Sequence, residues 1–269
     1  MSQKNTLSVS ILSGKGGVGK TNIALNLAYA LYNMQQSCML MDCDMGLANL
    51  DVLLGVAPEK SLEDLLEPGI APEDVLFSLE ENGFDFLPAA SGVPELVEWD
   101  GDLQAILFQK LNKHFSNYNY LILDLGAGIN TTVTSLAAMT RIKCVVISPE
   151  PTSLTDGYAL IKVLHHQKQV QRVFIVVNMV KNRQEGEQCF KRLQAACEKF
   201  LGIEIHLLGI ILQDQAVAQA ILQQIPLIKY APYSKAYKNI QRLAEHLQQL
   251  RDKLQSELHT PFELNMEGR

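Results

Sequence analysis

Short apolar runs alternate along the chain with longer stretches in which apolar residues recur every three or four positions. The apolar runs predict strands at residues 9–12, 39–41, 84–87, 120–123, 144–147, 174–177 and 205–212. Between the first two runs, Ile23, Leu27 and Leu31 have helical spacing and predict a helix over residues 21–31. Because strands that are apolar throughout are covered on both faces, the pattern predicts an α/β fold: a mostly parallel β-sheet flanked by helices on both faces.

Polar residues stand where several of these runs end. Asp42, Asp124 and Asn178 each follow an apolar run directly. Since ligands of open α/β sheets bind outside the carboxyl ends of the strands, these residues predict a nucleotide site at one rim of the sheet. No repeat or flexible linker stands out, so we expect one domain over residues 1–269, with an irregular excursion over residues 69–101.

Composition narrows the class of protein further. Of the 269 residues, 47% are hydrophobic and 19% charged, which is enough to bury one large core, and the net charge of −6 disfavours non-specific binding to nucleic acid. Cys38 and Cys144 lie in or beside apolar runs and are expected to be buried thiols of a reducing cytosol. Residues 1–8 contain no apolar leader, and no apolar run reaches the roughly 18 residues of a membrane helix, so we expect a cytoplasmic protein.

Residues 14–21, Gly-Lys-Gly-Gly-Val-Gly-Lys-Thr, match the phosphate-binding loop pattern G-x-x-x-x-G-K-[ST] between a predicted strand and a predicted helix. Glycines let backbone N–H groups close around phosphate oxygens, and the helix N-terminus adds a favourable dipole. Lys20 is expected to neutralise phosphate charge, and the Thr21 hydroxyl to bind Mg²⁺. The alternative is a glycine turn that only packs. The nucleotide-binding residues predicted in this segment are Gly14, Lys15, Gly16, Gly17, Val18, Gly19, Lys20, Thr21 and Asn22.

A second lysine, Lys15, follows the first glycine of the loop. With it, the loop resembles that of the deviant Walker A, or MinD/ParA-like, P-loop ATPases. The resemblance implies that the chain binds ATP and ADP with Mg²⁺, hydrolyses ATP slowly as a regulatory switch, and forms a homodimer when ATP is bound. It also implies that Lys15 reaches across the two-fold interface to the partner's phosphates. The alternative is a solvated loop lysine.

Three carboxylates complete the predicted site. Asp42 and Asp44 follow the second predicted strand, and Asp124 precedes a glycine-rich loop. A carboxylate pair beside a Mg²⁺–phosphate site can orient a water or hold the metal's hydration shell. By resemblance, Asp44 positions the attacking water, and Asp42 supports the Mg²⁺ shell and switch I, whose pattern continues through residues 45–51. Asp124 is the Walker B aspartate that holds Mg²⁺ through water, and Gly126 and Gly128 in the segment after it let switch II respond to the γ-phosphate. The resemblance makes Lys15, Lys20 and Asp44 the catalytic residues; turn or helix-cap carboxylates are the alternative.

Two more residues take nucleotide roles from the resemblance. Asn178, in the sequence Asn-Met-Val-Lys, would read the adenine edge, helped by the segment after Pro226. A GTPase would have Asn-Lys-x-Asp there, so the sequence favours ATP; a capping asparagine is the alternative. Glu150 would contact the nucleotide ribose.

Glu150 belongs to residues 149–156, Pro-Glu-Pro-Thr-Ser-Leu-Thr-Asp. This run, with residues 42–51 and 87–92, resembles one branch of the family, the flagellar-number regulators known as FlhG, FleN or YlxH. The resemblance covers residues 8–250 and implies partners such as the FlhF GTPase, a flagellar transcription regulator or C-ring components, and no specific nucleic acid. Some members of this branch carry a Gln-rich activator motif for FlhF before the first strand; no such motif is evident in residues 1–8, so the sequence leaves stimulation of FlhF open.

An amphipathic helix is predicted over residues 237–258, where Ile240, Leu243 and Leu247 begin an apolar stripe that continues to Leu258. Members of this branch use such a helix for peripheral contact with the cell membrane when ATP is bound. Its mixed charges are less typical of a membrane-surface helix, which usually has a more basic face, so packing on its own domain is the alternative. The sequence leaves both open.

Other functions use the same fold. A metabolic ligase or kinase would need an acceptor pocket, for which no motif is evident. A ParA-type DNA-partitioning ATPase would bind random DNA in the presence of ATP, and the acidic balance argues against it. An iron–sulfur reductase of nitrogenase type would need cysteine ligands, which residues 87–101 and 124–135 do not contain.

Overall fold

The computed structural model describes residues 6–44, 49–81, 83–89 and 101–254, and only the backbone of residues 101–105. The strands of the described part are β1 (Leu7–Ser13), β2 (Cys38–Cys43), β3 (Phe77–Glu80), β4 (Phe84–Leu87), β5 (Tyr120–Ala127), β6 (Ile142–Ile147), β7 (Val173–Val180) and β8 (Ile205–Leu212). The helices are α1 (Lys20–Asn33), α2 (Leu50–Leu54), a 3₁₀ helix (Leu62–Leu66), α3 (Pro72–Val75), α4 (Gly101–Phe115), α5 (Thr131–Met139), α6 (Pro151–Lys168), α7 (Arg183–Leu201), α8 (Gln215–Leu222), α9 (Leu227–Tyr230) and α10 (Lys235–Leu254).

All eight strands form one sheet in the order β3-β4-β2-β5-β1-β6-β7-β8. Every neighbouring pair is parallel except β3 with β4, which is antiparallel. The predicted fold class is therefore confirmed. Within the expected irregular excursion the structure has the predicted strand β4 and two elements that the sequence did not predict, α3 and β3; residues 82 and 90–100 lie outside the described residues.

The sheet is covered on both faces, as its apolar strands predict. Along β1, Val9 and Ile11 pack into the core on the side of α1 and α10, and Leu12 packs into the core on the side of α4 to α7. Cys38 and Cys144 are buried, as predicted. Central parallel strands without a solvent-facing side read as continuous apolar runs, which is why the sequence indicates them clearly.

Two strands run further than the sequence predicts. β5 continues past Asp124 to Ala127, and β7 continues past Asn178 to Val180. Asp124 remains in the sheet, where it lies opposite Asp42 of β2 in the parallel register. Its polar side chain marks the site and does not end the strand.

Helix α10 packs its apolar stripe on its own domain. Ile240, Leu243 and Leu247 are buried in the core that α10 shares with α1 and β8. A Cβ added at Gly209 of β8 would lie 2.9 Å from a Leu243 methyl carbon, so the helix approaches the strand closely. The described helix ends at Leu254, and the remainder of the predicted stretch lies outside the described residues. Within residues 6–254 as far as they are described, no helix is long and apolar enough to cross a membrane.

Candidate nucleotide-binding site

The loop of residues 14–21 joins the end of β1 to the start of α1, at the carboxyl edge of the sheet. Gly17 and Gly19 have φ of 79° and 85°, a left-handed region that favours glycine. A Cβ at Gly14 would lie 2.2 Å from the backbone oxygen of Asp156, so this glycine lets the loop contact α6 directly. At Gly16 and Gly17 an added Cβ would meet nothing within 4 Å. Next to Gly16 and Gly17 the loop is therefore not packed against other parts of the described chain.

Lys20 and Asp124 form the buried centre of the site. The Lys20 ammonium is 3.3 Å from the Asp124 carboxylate, and the side chains are only 8% and 1% exposed. Burial raises the pKa of Asp124, and the positive charge of Lys20 and the Thr21 hydroxyl oppose that rise. An ion pair desolvated to this degree needs further polar partners. Phosphate oxygens would provide them for the lysine, and Mg²⁺ would provide one for the carboxylate.

Asp42 lies beside Asp124 on the neighbouring strand and holds the chain that follows it. One carboxylate oxygen accepts a hydrogen bond from the Asp44 N–H (2.9 Å), and the other accepts from the N–H groups of Asn49 and Leu50 (3.3 Å each). Burial, together with the charge of Asp124, raises the pKa of Asp42 to about 7. Asp42 thus ties the carboxylate pair to the start of α2, the region predicted as switch I.

Asp44 lies where β2 faces the end of β5. A Cβ built on Gly126 would lie 3.4 Å from an Asp44 carboxylate oxygen, so Asp44 borders the loop predicted as switch II. That loop begins with Gly128, whose φ of 105° requires glycine and whose N–H donates to the Ser13 carbonyl at 2.9 Å. Asp44 and Gly126, one from each predicted switch, therefore lie close together, and Gly128 is bonded to the end of β1 just before the phosphate loop.

Asn178 contacts the loop from the other side. Its side-chain amide donates to the Val18 carbonyl at 2.8 Å and is buried. A Cβ at Gly19 would lie 2.5 Å from that amide nitrogen. Asn178 therefore supports the phosphate loop directly, a contact that its position after an apolar run did not reveal. Its remaining amide oxygen is compatible with the predicted role at the adenine edge, which stays a prediction.

Lys15 lies on the rim of the site and does not enter the buried centre. Its ammonium forms an ion pair with the Glu150 carboxylate and donates to the Thr152 hydroxyl at 2.9 Å. Glu150 is the N-cap residue of α6 and Thr152 lies in the first turn of that helix; the Glu150 side chain is 64% exposed. The predicted ribose contact of Glu150 stays untested. Thr152 was part of the motif but was given no role, because sequence alone does not show that α6 starts beside the loop.

Asn22 lies in the first turn of α1. Its backbone carbonyl and side-chain oxygen accept hydrogen bonds from the Asn26 amide at 2.9 and 3.3 Å. Asn26 in turn accepts from the backbone N–H of Ile228 at 3.3 Å. The segment after Pro226 therefore lies against the helix that starts at the phosphate loop, as the predicted adenine site requires.

The donor set fits a Mg²⁺–nucleotide complex. Mg²⁺ binds through one or two carboxylates together with substrate phosphates and water, and Asp42 and Asp124 supply such a pair beside the Thr21 hydroxyl. Backbone N–H groups of an open glycine loop and a buried lysine are the groups that hold phosphate oxygens. The predicted site residues of the strands β1, β2 and β5 therefore come together at one rim.

Fold and site define a P-loop nucleoside triphosphatase. The chain matches the model of the ParA family, described as NUBPL iron-transfer P-loop NTPase, over residues 4–248. It belongs to this ParA/MinD family of P-loop ATPases and uses ATP with Mg²⁺. The predicted resemblance is thereby confirmed for the family.

Relatives and a solved structure agree with this assignment. The chain is 38% identical over 228 residues to the antiactivator FleN of Pseudomonas aeruginosa, covering 85% of this chain and 81% of FleN. It is 32% identical over 242 residues to the flagellum site-determining protein YlxH of Helicobacter pylori, covering 89% and 81%. The septum site-determining protein MinD of Pyrococcus horikoshii, solved with Mg-ADP, superposes with a TM-score of 0.74 at 26% identity, covering 91% of this chain and 97% of MinD. The two flagellar relatives confirm the predicted branch.

Proposed function

We propose that this chain is an ATP-dependent, dimerising switch that regulates the number or placement of flagella by binding partner proteins. The observation that carries the proposal is that the two lysines of the phosphate loop lie in different environments. Lys20 is buried against Asp124, whereas Lys15 lies on the rim, bound to exposed groups of α6. The chain's own phosphate site thus has its lysine already, and Lys15 is free to exchange Glu150 for a partner's phosphates.

The exchange is energetically accessible. An exposed lysine–carboxylate pair is worth about 0–1 kcal/mol, because water screens it well. A triphosphate offers several charged oxygens, and a closed dimer interface excludes much of that water. Lys15 would therefore leave Glu150 when an ATP-loaded partner docks, and return to it after hydrolysis.

Each residue then has a part in hydrolysis. Bound Mg²⁺ would neutralise phosphate charge, held by Thr21 and, through water, by Asp42 and Asp124. Lys20 and the partner's Lys15 stabilise the charge that develops on the transferred phosphoryl group. Asp44, at the meeting point of the two switches, holds the attacking water in line.

Hydrogen bonds connect the nucleotide site to surface segments that would respond when the γ-phosphate is lost. Asp42 joins the metal side of the site to the start of α2 through its bonds to Asn49 and Leu50. Gly128 gives the loop after β5 a backbone that can change its path. The segments that close the dimer are therefore attached to the groups that sense the nucleotide.

The similarity to FleN and YlxH supports a flagellar output. Partners of the kinds expected from the sequence, the FlhF GTPase, a flagellar transcription regulator or C-ring components, belong to this proposal. Peripheral membrane contact belongs to it as well, with one condition. The apolar stripe of α10 is buried against its own domain, so α10 would have to leave that surface first.

The switch is tested with Asp44→Ala. Without the residue that places the water, ATP binds but is not hydrolysed, and the chain should accumulate as a dimer in ATP and Mg²⁺. Multi-angle light scattering in ATP and in ADP measures this directly. Glu198→Ala, which removes an exposed carboxylate of α7, is the control and should hydrolyse ATP normally. An Asp44→Ala chain that stays monomeric in ATP contradicts the proposal.

The alternatives gain no support from the site. Iron transfer, part of the family description, would use thiolate ligands, yet all five cysteines are buried. Burial raises the pKa of Cys144 to about 12 and that of Cys197 to about 11, which keeps both as thiols. DNA partitioning predicts ATP-dependent, salt-sensitive binding to random DNA, and the same light-scattering samples can be titrated with DNA to check it.

A further inference from the structure

Ser13, the last residue of β1, holds the backbone of Lys15. Its hydroxyl donates to the Lys15 carbonyl at 2.8 Å, and Ser13 is only 1% exposed. A serine hydroxyl that bonds a backbone group two residues away fixes the path of the chain between them. That path contains Gly14, which lets the loop contact α6 directly. The start of the phosphate loop is therefore held by β1 on one side and by α6 on the other.

The part of the loop that follows Lys15 is less supported. Gly16 and Gly17 are exposed, and a Cβ added to either would meet nothing within 4 Å. Further along, Val18 is held through its carbonyl, which accepts from the Asn178 amide at 2.8 Å. Lys15 thus lies where a fixed part of the loop meets an unpacked part, and the Ser13 hydroxyl marks the end of the fixed part.

The carbonyl of Ser13 joins the same point to the segment after β5. It accepts a hydrogen bond from the Gly128 N–H at 2.9 Å. Ile11 pairs with Asp124 and Ser13 pairs with Ala127, so β5 contains one extra residue between the two pairs. Such a bulge changes the direction of a strand, and here it accompanies the contact between Ser13 and Gly128. Ser13 therefore connects the start of the phosphate loop with the segment predicted as switch II.

The side chain of Lys15 is held less firmly than its backbone. It is 35% exposed, and the Glu150 side chain that pairs with it is 64% exposed. Exposed ion pairs of this kind contribute little, so the ammonium can leave Glu150. The backbone of Lys15 must stay in place when that happens, because a displacement of about 1 Å at a reacting group can cost a large part of the rate. A fixed backbone and a movable side chain are what transfer to a partner's site requires.

We propose that Ser13 is a positioning residue that fixes the backbone of Lys15, so that the Lys15 side chain reaches the phosphates of a partner chain. Lys15 is the group that touches the nucleotide, and Ser13 acts through it. The inference rests on the proposed exchange of Lys15 between two chains and adds the residue that sets its reach. The chain's own buried centre, formed by Lys20 and Asp124, does not involve the Ser13 hydroxyl.

Ser13→Ala removes the hydroxyl and keeps the backbone bond to Gly128. ATP hydrolysis should slow about three- to tenfold, the factor that one intramolecular hydrogen bond supplies. Calorimetric titration should show binding of Mg-ADP within about twofold of the parent chain. Ser10→Ala is the matched control and should hydrolyse ATP at the parent rate, because the buried Ser10 hydroxyl of the same strand lies 2.9 Å from the Thr140 hydroxyl and 3.3 Å from the Ile142 carbonyl, away from the loop. Unchanged hydrolysis by Ser13→Ala, or an equal loss of ADP affinity, overturns the inference.

Mixed dimers show in which site Ser13 acts. Equal amounts of two variants are combined in ADP before ATP is added. With Asp44→Ala as its partner, the Ser13→Ala chain has its own Asp44 and receives a well-placed Lys15, so the mixture should reach about a quarter of the parent activity, about two- to fivefold above the sum of its separate components. With Lys15→Ala as the partner, no site receives a well-placed Lys15, and no gain over the sum is expected. Ser13→Cys keeps a weak donor and is used in the same mixtures if Ser13→Ala does not fold.

The opposite pattern overturns the inference. A gain with Lys15→Ala and none with Asp44→Ala would mean that Ser13 shapes only the phosphate loop of its own site. The mixture of Lys15→Ala with Asp44→Ala tests the exchange of Lys15 itself. If that mixture gains no activity, the proposed function fails. If it gains activity while Ser13→Ala with Asp44→Ala does not, the exchange stands and the role of Ser13 is wrong.

Discussion

Replacing Gly14 by alanine tests whether the phosphate loop packs directly against α6. The added methyl group would lie 2.2 Å from the Asp156 carbonyl oxygen and 2.9 Å from its Cβ. Non-bonded heavy atoms are best placed at about 3.5 Å, so the methyl group would be more than ~1 Å too close. The obstacle is the backbone of α6, which cannot rotate away as a flexible side chain does.

The magnitude follows from that geometry. Adding a methyl group to a filled space costs about 1–3 kcal/mol, and backbone contacts belong at the upper end of that range. We therefore expect Gly14→Ala to lower the free energy of unfolding by about 2–3 kcal/mol. For a chain of this size that corresponds to a fall in melting temperature of about 4–10 °C.

Gly16→Ala provides the matched control. It makes the same chemical change in the same loop, but its methyl group meets nothing within 4 Å, so its unfolding free energy should stay within about 0.5 kcal/mol of the parent chain. Urea unfolding without nucleotide measures both variants. If Gly14→Ala is as stable as Gly16→Ala, the phosphate loop does not pack against α6, and the described contacts of Lys15 with Glu150 and Thr152 are wrong.

Two further predictions concern α10 and the carboxylate pair. Leu243→Ala should lower the free energy of unfolding by about 2–5 kcal/mol, because Leu243 is fully buried against β8. Replacement of the exposed Glu245 by alanine should have little effect, and urea denaturation compares the two variants. Equal stabilities would mean that α10 does not pack on β8. Burial raises the pKa of Asp42 to about 7. At a pH between the usual aspartate pKa of about 4 and this value, the Asp42 carboxyl is protonated in the folded chain but ionised in the unfolded chain. The stability of the chain without nucleotide should therefore fall as the pH rises from about 4 to about 7, by up to about 4 kcal/mol for this group. Asp42→Asn should flatten that part of the pH profile, and an unchanged profile would contradict the pKa shift.

Much of the fold follows from the sequence because its central strands are buried on both faces. Such strands read as uninterrupted apolar runs, and every predicted run became a strand. β3 was missed for the opposite reason: it is a half-exposed edge strand of four residues, Phe77–Glu80, whose partner β4 gives it its structure. Tertiary pairing of that kind leaves no clear local pattern.

The site, like the fold, has parts that the sequence predicts and parts that it does not. The phosphate loop has a sequence pattern with a chemical reason at nearly every position, so its place between β1 and α1 could be predicted. Contacts between distant segments could not be predicted, because they depend on the register of strands and the approach of helices. The Asn178 bond to Val18, the seat of Gly14 on α6 and the pairing of Lys15 with Thr152 are of this type.

The claim that Lys15 acts in a partner's site can be measured by mixing two inactive chains. Lys15→Ala lacks the lysine given to the partner, and Asp44→Ala lacks the water-positioning carboxylate of its own site, so each alone should hydrolyse ATP very slowly. In a mixed dimer, the site of the Lys15→Ala chain has its own Asp44 and receives Lys15 from the other chain. Random pairing makes about half of the dimers mixed, each with one complete site of two, so mixing equal amounts in ADP before adding ATP should restore about a quarter of the parent activity. A mixture no more active than the sum of its separate components would contradict the account.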